Sequence, residues 1–262
     1  MPTSLTFDEH LDVIRSAGDR LADLASSVDE STRVPTCPAW TVRELLAHQT
    51  LVHRWATANI TDADPEALPS QTEIASSVDD IVDHYRNGLD LLTAALAEAK
   101  PDLDAMTFLN DAPAPRHFWA RRQAHETTMH MVDALAATLG RSPTAGEAAI
   151  APTVAIDGID ELLCGFFTRG RSKLFDGEEF TVLVRPSDGE RGWLVRVAER
   201  LTTDPVPLAG DAIAGGDDSA VSLTGTAVEL YLGLWNRGDE ITVAGRPELL
   251  DRWRAVQRVT WS

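Results

Sequence analysis

Along the first half of the chain, apolar residues recur every three or four positions, the spacing that gathers them on one face of a helix. The first such run carries Leu11, Ile14, Leu21, Leu24 and Val28, and Thr6-Phe7-Asp8-Glu9 ahead of it has the Thr-x-x-Glu pattern of a capping box. Thr41 and Glu44 mark a second start in the same way. Trp40 before that cap and Leu45 after it are placed for a hydrophobic staple, and the helix is expected to run to Ala58. A third stretch, with Val78, Ile81, Val82, Tyr85, Leu89, Leu92 and Leu96, stops near Lys100-Pro101, where proline cannot continue a helix. A fourth follows Pro113-Ala114-Pro115 and ends at Leu139-Gly140, with glycine suited to the left-handed cap. Four helices in succession predict a bundle over residues 1–140.

After Gly140 the texture changes. Arg141-Ser142-Pro143-Thr144-Ala145-Gly146-Glu147 is short and polar and reads as an interdomain linker. One more helix is expected over residues 153–167. Residues 180–185 and 193–197 are then β-rich and separated by Ser187-Asp188-Gly189, the pattern of a hairpin. Residues 220–223 and 241–244 supply two further candidate strands, with helices over 227–235 and 247–256. The second domain, over residues 150–262, is therefore expected to be α+β, and the whole chain a two-domain α+β protein.

Composition narrows the function classes. The chain has 262 residues, 44% of them hydrophobic and 24% charged, a balance that suits folded domains rather than disorder. Its formal charge of −18 opposes a phosphate backbone, and no basic patch compensates, so nucleic acid is not an expected partner. No apolar run is long enough to span a membrane, and no basic-then-apolar leader opens the sequence. Cys37 and Cys164 are the only cysteines and lie far apart, which fits a reducing compartment. A cytoplasmic location is the expectation. Phosphate-binding glycine loops and the Gly-x-Ser-x-Gly elbow are both absent from the sequence.

The candidate chemistry lies on two of the helices. His48 follows Leu45 by three residues and precedes Val52 by four, so it shares their inward stripe. Glu126 and His130 are four apart and therefore on one face of the fourth helix, with Trp119 and Asp133 near the same stripe. Together these three supply two imidazoles and a carboxylate, a set that can hold a divalent metal and leave one coordination position open. Each also has a bland reading, as a packed core histidine or a surface Glu-His pair. His125 and His53 point away from this stripe and suit packing or support of a ligand. Cys37 reads as a small packed residue before the second helix rather than as a nucleophile.

The segment Cys37-Pro38-Ala39-Trp40-Thr41-Val42-Arg43-Glu44-Leu45-Leu46-Ala47-His48, followed by Val52-His53-Arg54-Trp55, resembles the metal-binding domain of the mycothiol-dependent maleylpyruvate isomerase family. Arg121-Arg122-Gln123-Ala124-His125-Glu126-Thr127-Thr128-Met129-His130-Met131-Val132-Asp133-Ala134 resembles that family's other ligand segment, a variant of the three-ligand site of DinB-like bundles. Asp157-Gly158-Ile159-Asp160-Glu161-Leu162-Leu163, and the stretch from Leu223-Thr224-Gly225 through Leu234-Trp235-Asn236-Arg237, resemble its C-terminal domain, an α/β module similar to sterol carrier proteins.

The resemblance implies a zinc-type divalent ion at His48, Glu126 and His130, with the thiol of mycothiol as a further ligand. It implies a metal-bound thiolate that attacks a small electrophile: an isomerase if the adduct rotates and expels the thiol, a transferase if the adduct is retained. Arg237 matches a family arginine of the active site, and Arg86 is a second candidate, weighed against a surface salt bridge. The expected site is a cleft between the domains. Two alternatives stay open: a metal-dependent hydrolase that activates water, and a non-catalytic, metal-bound binding or regulatory protein. The electrophile and the oligomeric state are not readable from the sequence.

Overall fold

The computed structural model describes residues 5–208 and 220–256; the outer ends of the two expected domain ranges, at residues 1 and 262, lie outside the described residues. The chain forms two compact units. One comprises Leu5–Thr107 and Pro113–Pro143, and the other contains Phe108–Ala112 together with the chain from Thr144 onward.

The first unit is helical. Its long helices are α1 (Phe7–Ser26), α2 (Val42–Ile60), α4 (Ile81–Glu98) and α5 (Pro115–Leu139), with a short α3 (Gln71–Ser77) between α2 and α4. The capping boxes at Thr6/Glu9 and Thr41/Glu44 form in both directions, backbone to side chain and back. A third box at Ser70/Glu73 starts α3, which apolar spacing does not reveal because α3 buries only Ile74. On α2, Leu45 and Leu46 are fully buried. Each contributes about 1.5–3 kcal/mol, against ~1 kcal/mol for the Thr41 cap. Packing therefore holds α2 in place, and the cap decides where it begins. Tyr85 on α4 donates its hydroxyl hydrogen to the Gly18 carbonyl of α1 at 3.3 Å, which satisfies both groups inside the core.

Helix α5 departs from the amphipathic expectation: every residue from Phe118 to Ala137 is buried, including Arg121, Arg122, Gln123, His125, Glu126, His130 and Asp133. Charged residues are rarely buried without partners, so this helix must carry a polar network. It ends as the sequence indicates, with Gly140 at φ 69° in the left-handed region.

The second unit resumes at Thr144, inside the stretch expected to be a linker, and a capping box of Thr144 and Glu147 starts its helix α6 (Ala145–Ala148) there. Helix α7 (Pro152–Asp160) runs into a π-helical segment, Glu161–Phe166. A five-stranded sheet follows, built from β1 (Phe180–Pro186), β2 (Arg191–Val197), β3 (Thr202–Pro207), β4 (Ala220–Gly225) and β5 (Thr242–Ala244), in the order β3-β2-β1-β4-β5. The expected hairpin is β1 and β2, in antiparallel register with Val182 opposite Val195; β4 lies parallel to β1 on its other side. Strand β3 escapes the pattern because it contains Pro205 and Pro207. It lies at the sheet edge, where a proline breaks no ladder bond. Helices α8 (Ala227–Leu234) and α9 (Glu248–Val256) complete the unit, and Trp253 of α9 is fully buried with its indole N–H donated to the Leu234 carbonyl. Among the described residues, no helix is long and apolar enough to cross a membrane.

Gly192 is where the hairpin tolerates no side chain: a Cβ there would lie 2.6 Å from the Val184 carbonyl oxygen and 2.8 Å from a methyl of Leu208. The strand backbone cannot retreat without breaking the ladder. Gly192→Ala is expected to cost about 1–3 kcal/mol, read as a lower urea midpoint with an unchanged slope.

Candidate metal centre

Helices α2 and α5 run antiparallel where they meet. His48 faces Glu126, and seven residues on along α2 the Trp55 ring lies 5.2 Å from the ring of Trp119, seven residues back along α5. This packing brings His48, which sequence spacing could place only on its own helix, against Glu126 and His130, which already share a face of α5. His48 Nε2 lies 3.6 Å and His130 Nε2 3.3 Å from the same atom, Glu126 Oε1. All three residues are buried, and their donor atoms lie within 4.8 Å of one another.

The donor set suits a divalent ion. Metal–ligand bonds of about 2.0–2.2 Å put the donors of a tetrahedral site roughly 3.4 Å apart, close to both observed separations. The opposite edge of each group is occupied in a way that turns its donor toward the centre. Arg122, fully buried one turn before Glu126, donates Nη2–H to Oε2 at 3.0 Å and leaves Oε1 for the two imidazoles. Asp133 Oδ2 takes the Nδ1 hydrogen of His130 at 2.9 Å, so once the ring gives up its second proton it is the Nε2 lone pair that becomes available to ligate. Asp133 is itself held: Thr36 donates to Oδ1 at 2.5 Å and the Cys37 thiol approaches Oδ2 at 3.4 Å. Half-buried Trp40 lies over the His48 ring at 4.6 Å and reaches His130 at 5.9 Å.

The protonation states follow from these contacts. Burial would raise the Glu126 pKa, but the hydrogen bond from His130, the nearby His48 imidazole and the charge of Arg122 outweigh it and hold the carboxyl well below its usual range. Burial would depress His130; the bonds to Asp133 and Glu126 overcome that and push it up to about 9. For His48 burial outweighs its contacts with Glu126 and Gln71 and pulls the pKa down. The metal-free protein at neutral pH thus holds an ionised Glu126, a neutral His48 and a protonated His130.

The remaining candidates each have local partners. Arg86 on α4 is partly exposed and pairs with Asp23 of α1 at 3.0 Å, the surface salt bridge weighed against its functional reading. Arg237 follows α8 in a Schellman turn: its N–H donates to the Leu232 carbonyl at 2.7 Å, that of Asn236 to Gly233 at 3.1 Å, and Asn236 takes φ 62°. Its guanidinium bonds the Trp235 carbonyl at 2.8 Å. His125 is buried edge-on against His10, with ring centroids 6.2 Å apart. His53 is buried and hydrogen-bonded away from the centre, and its desolvation lowers its pKa to about 3. Sequence reasoning missed Arg122, whose signal was its position four residues before Glu126. It also missed Thr36 and the stacking role of Trp40, which depend on how the loop before α2 folds back over α5.

Comparisons with known proteins bear on the two domains. Residues 14–135 match the domain described as mycothiol maleylpyruvate isomerase N-terminal domain, and residues 153–252 match the C-terminal domain of the same family. No curated protein matches the chain. A crystal structure of the mycothiol-dependent maleylpyruvate isomerase is similar in fold, with TM-score 0.63, 19% identity, and 94% of this chain and 97% of that one covered. A histidine-to-alanine mutant of that enzyme matches equally in fold, with TM-score 0.63 at 17% identity over the same shares. Two helical and α+β units in this order, each matching the corresponding domain of one family, place the chain in the mycothiol-dependent maleylpyruvate isomerase family.

Proposed function

We propose that the protein is a metal-dependent enzyme that uses mycothiol to isomerise, or transfer the thiol to, a small electrophilic substrate. One observation carries the reading: two imidazole Nε2 atoms converge on a single carboxylate oxygen, with Asp133 behind one ring and Arg122 behind the carboxylate. A buried triad supported on its outer side in this way suits metal ligation better than core packing. A divalent ion of the zinc type, when bound, would lower the pKa of a thiol and keep it as thiolate near neutral pH.

The chain's own residues do the rest. His48, Glu126 and His130 hold the ion, Asp133 fixes the His130 ring, and Trp40 covers both imidazoles. On this reading a thiolate adds to an electron-poor carbon, and the fate of the adduct distinguishes isomerase from transferase. Arg237 is assigned to a carboxylate of the substrate or of the thiol, for which its fork of N–H donors is suited. Arg86 is left to its pair with Asp23.

Four measurements test the reading. Metal analysis of the purified protein should find about one ion per chain, and His48→Ala and Glu126→Ala should each lose it. Retention of the metal by both variants would sink the triad. Asp133→Asn should weaken metal affinity about 10–100-fold while leaving the fold intact by circular dichroism.

Titration with zinc at pH 7.5, in buffers of differing ionisation enthalpy, should release about one proton per ion. That proton comes from His130, whose pKa near 9 leaves it charged at this pH, whereas His48 is already neutral. Metal affinity should accordingly weaken as pH falls from 9. Turnover of test electrophiles should require added mycothiol; equal turnover without thiol would favour hydrolysis by activated water.

A further inference from the structure

Beside the metal ligands, on the same two helices, lies a second buried polar cluster that the proposed chemistry does not use. On α2, Gln49 and His53 are one turn apart and both fully buried; Thr127 of α5 is buried against them. Gln49 Nε2 lies 2.8 Å from His53 Nε2 and 3.3 Å from Thr127 Oγ1, and His53 Nε2 lies 3.0 Å from the same hydroxyl. Gln123, also fully buried, is one turn before Thr127 on α5. Around the helix it falls between Trp119 and Thr127, both of which meet α2, so helical spacing puts it on the side of α5 that faces α2.

These contacts leave polar atoms over. Gln49 Oε1, His53 Nδ1 and both amide atoms of Gln123 are buried with no hydrogen-bond partner among the described residues. Neither amide rotation nor a change of His53 tautomer removes the deficit, since each only exchanges which atoms are bonded. Leaving four such atoms desolvated would cost an amount comparable with the net stability of a whole domain. A water molecule in a buried site makes two to four hydrogen bonds, and acceptors and donors from both helices are available here.

We propose that Gln49, His53, Gln123 and Thr127 form a buried hydration site, holding at least one ordered water that bridges α2 and α5 next to the metal ligands. The bridge ties together the helix that carries His48 and the helix that carries Glu126 and His130, and so contributes to the register in which they face one another. Aliphatic side chains at these four positions could pack the helices together, but without a directional bond to fix that register.

A high-resolution crystal structure of the wild-type protein should show water within hydrogen-bond distance of Gln123 and of Gln49 or His53. In solution, oxygen-17 relaxation dispersion on the full chain should detect long-lived internal water, at least one molecule of which is lost in Gln123→Met. The same near-isosteric variant should have a lower urea midpoint, because it takes a partner from the bridging water. Density showing the four side chains bonded directly to one another, or a Gln123→Met protein with unchanged internal water and a raised midpoint, would overturn the proposal. Neither readout depends on bound metal, so the hydration site and the metal reading can fail separately.

Discussion

The Glu126 carboxylate is the constraint around which the first unit is organised. A desolvated carboxylate is tolerable inside a bundle only when cationic or hydrogen-bonding partners surround it. Here Arg122 occupies one oxygen and two imidazoles approach the other. Taking away any one partner would leave a buried charge underserved. The same geometry that makes the carboxylate tolerable also turns one of its oxygens, and two ring nitrogens, toward a common point.

That constraint explains an oddity of α5. A helix buried at every position from Phe118 to Ala137 would ordinarily be apolar all round, yet this one carries charged and amide side chains through its middle. Some of these pair within the helix at spacings of three and four, as Arg122 does with Glu126 and His130 with Asp133, and Thr127 meets α2 across the interface. Much of the hub is therefore assembled by one helix acting alone. What that helix cannot provide is His48, and only the antiparallel packing of α2 delivers it.

The loop before α2 has a second role in the same network. Its start is set by the Thr41 capping box, and the residues just ahead of the cap fold back so that Thr36 and Cys37 reach Asp133 while Trp40 lies over both imidazoles. A local motif at a helix end thus bears on the orientation of His130, far along the chain on another helix.

The sequence by itself determined the elements whose signals are local. Capping boxes, apolar periodicity and proline or glycine stops located α1, α2, α4 and α5 and the β1–β2 hairpin, because each depends on residues within one or two turns of one another. Pairs on a single helix were legible for the same reason, Glu126 with His130 above all. Tertiary structure alone decided the rest. Strand β3 is a strand only because a sheet edge accepts its prolines, and α3 is held by a cap and one buried isoleucine rather than by a periodic face. His48 could be assigned an inward stripe, but its distance from Glu126 depends on how two helices pack, and no spacing along the chain encodes that. The roles of Arg122, Thr36 and Trp40 had to wait for the same packing, because a buried side chain's chemistry is set by the atoms that replace its water, and most of those come from elsewhere in the chain.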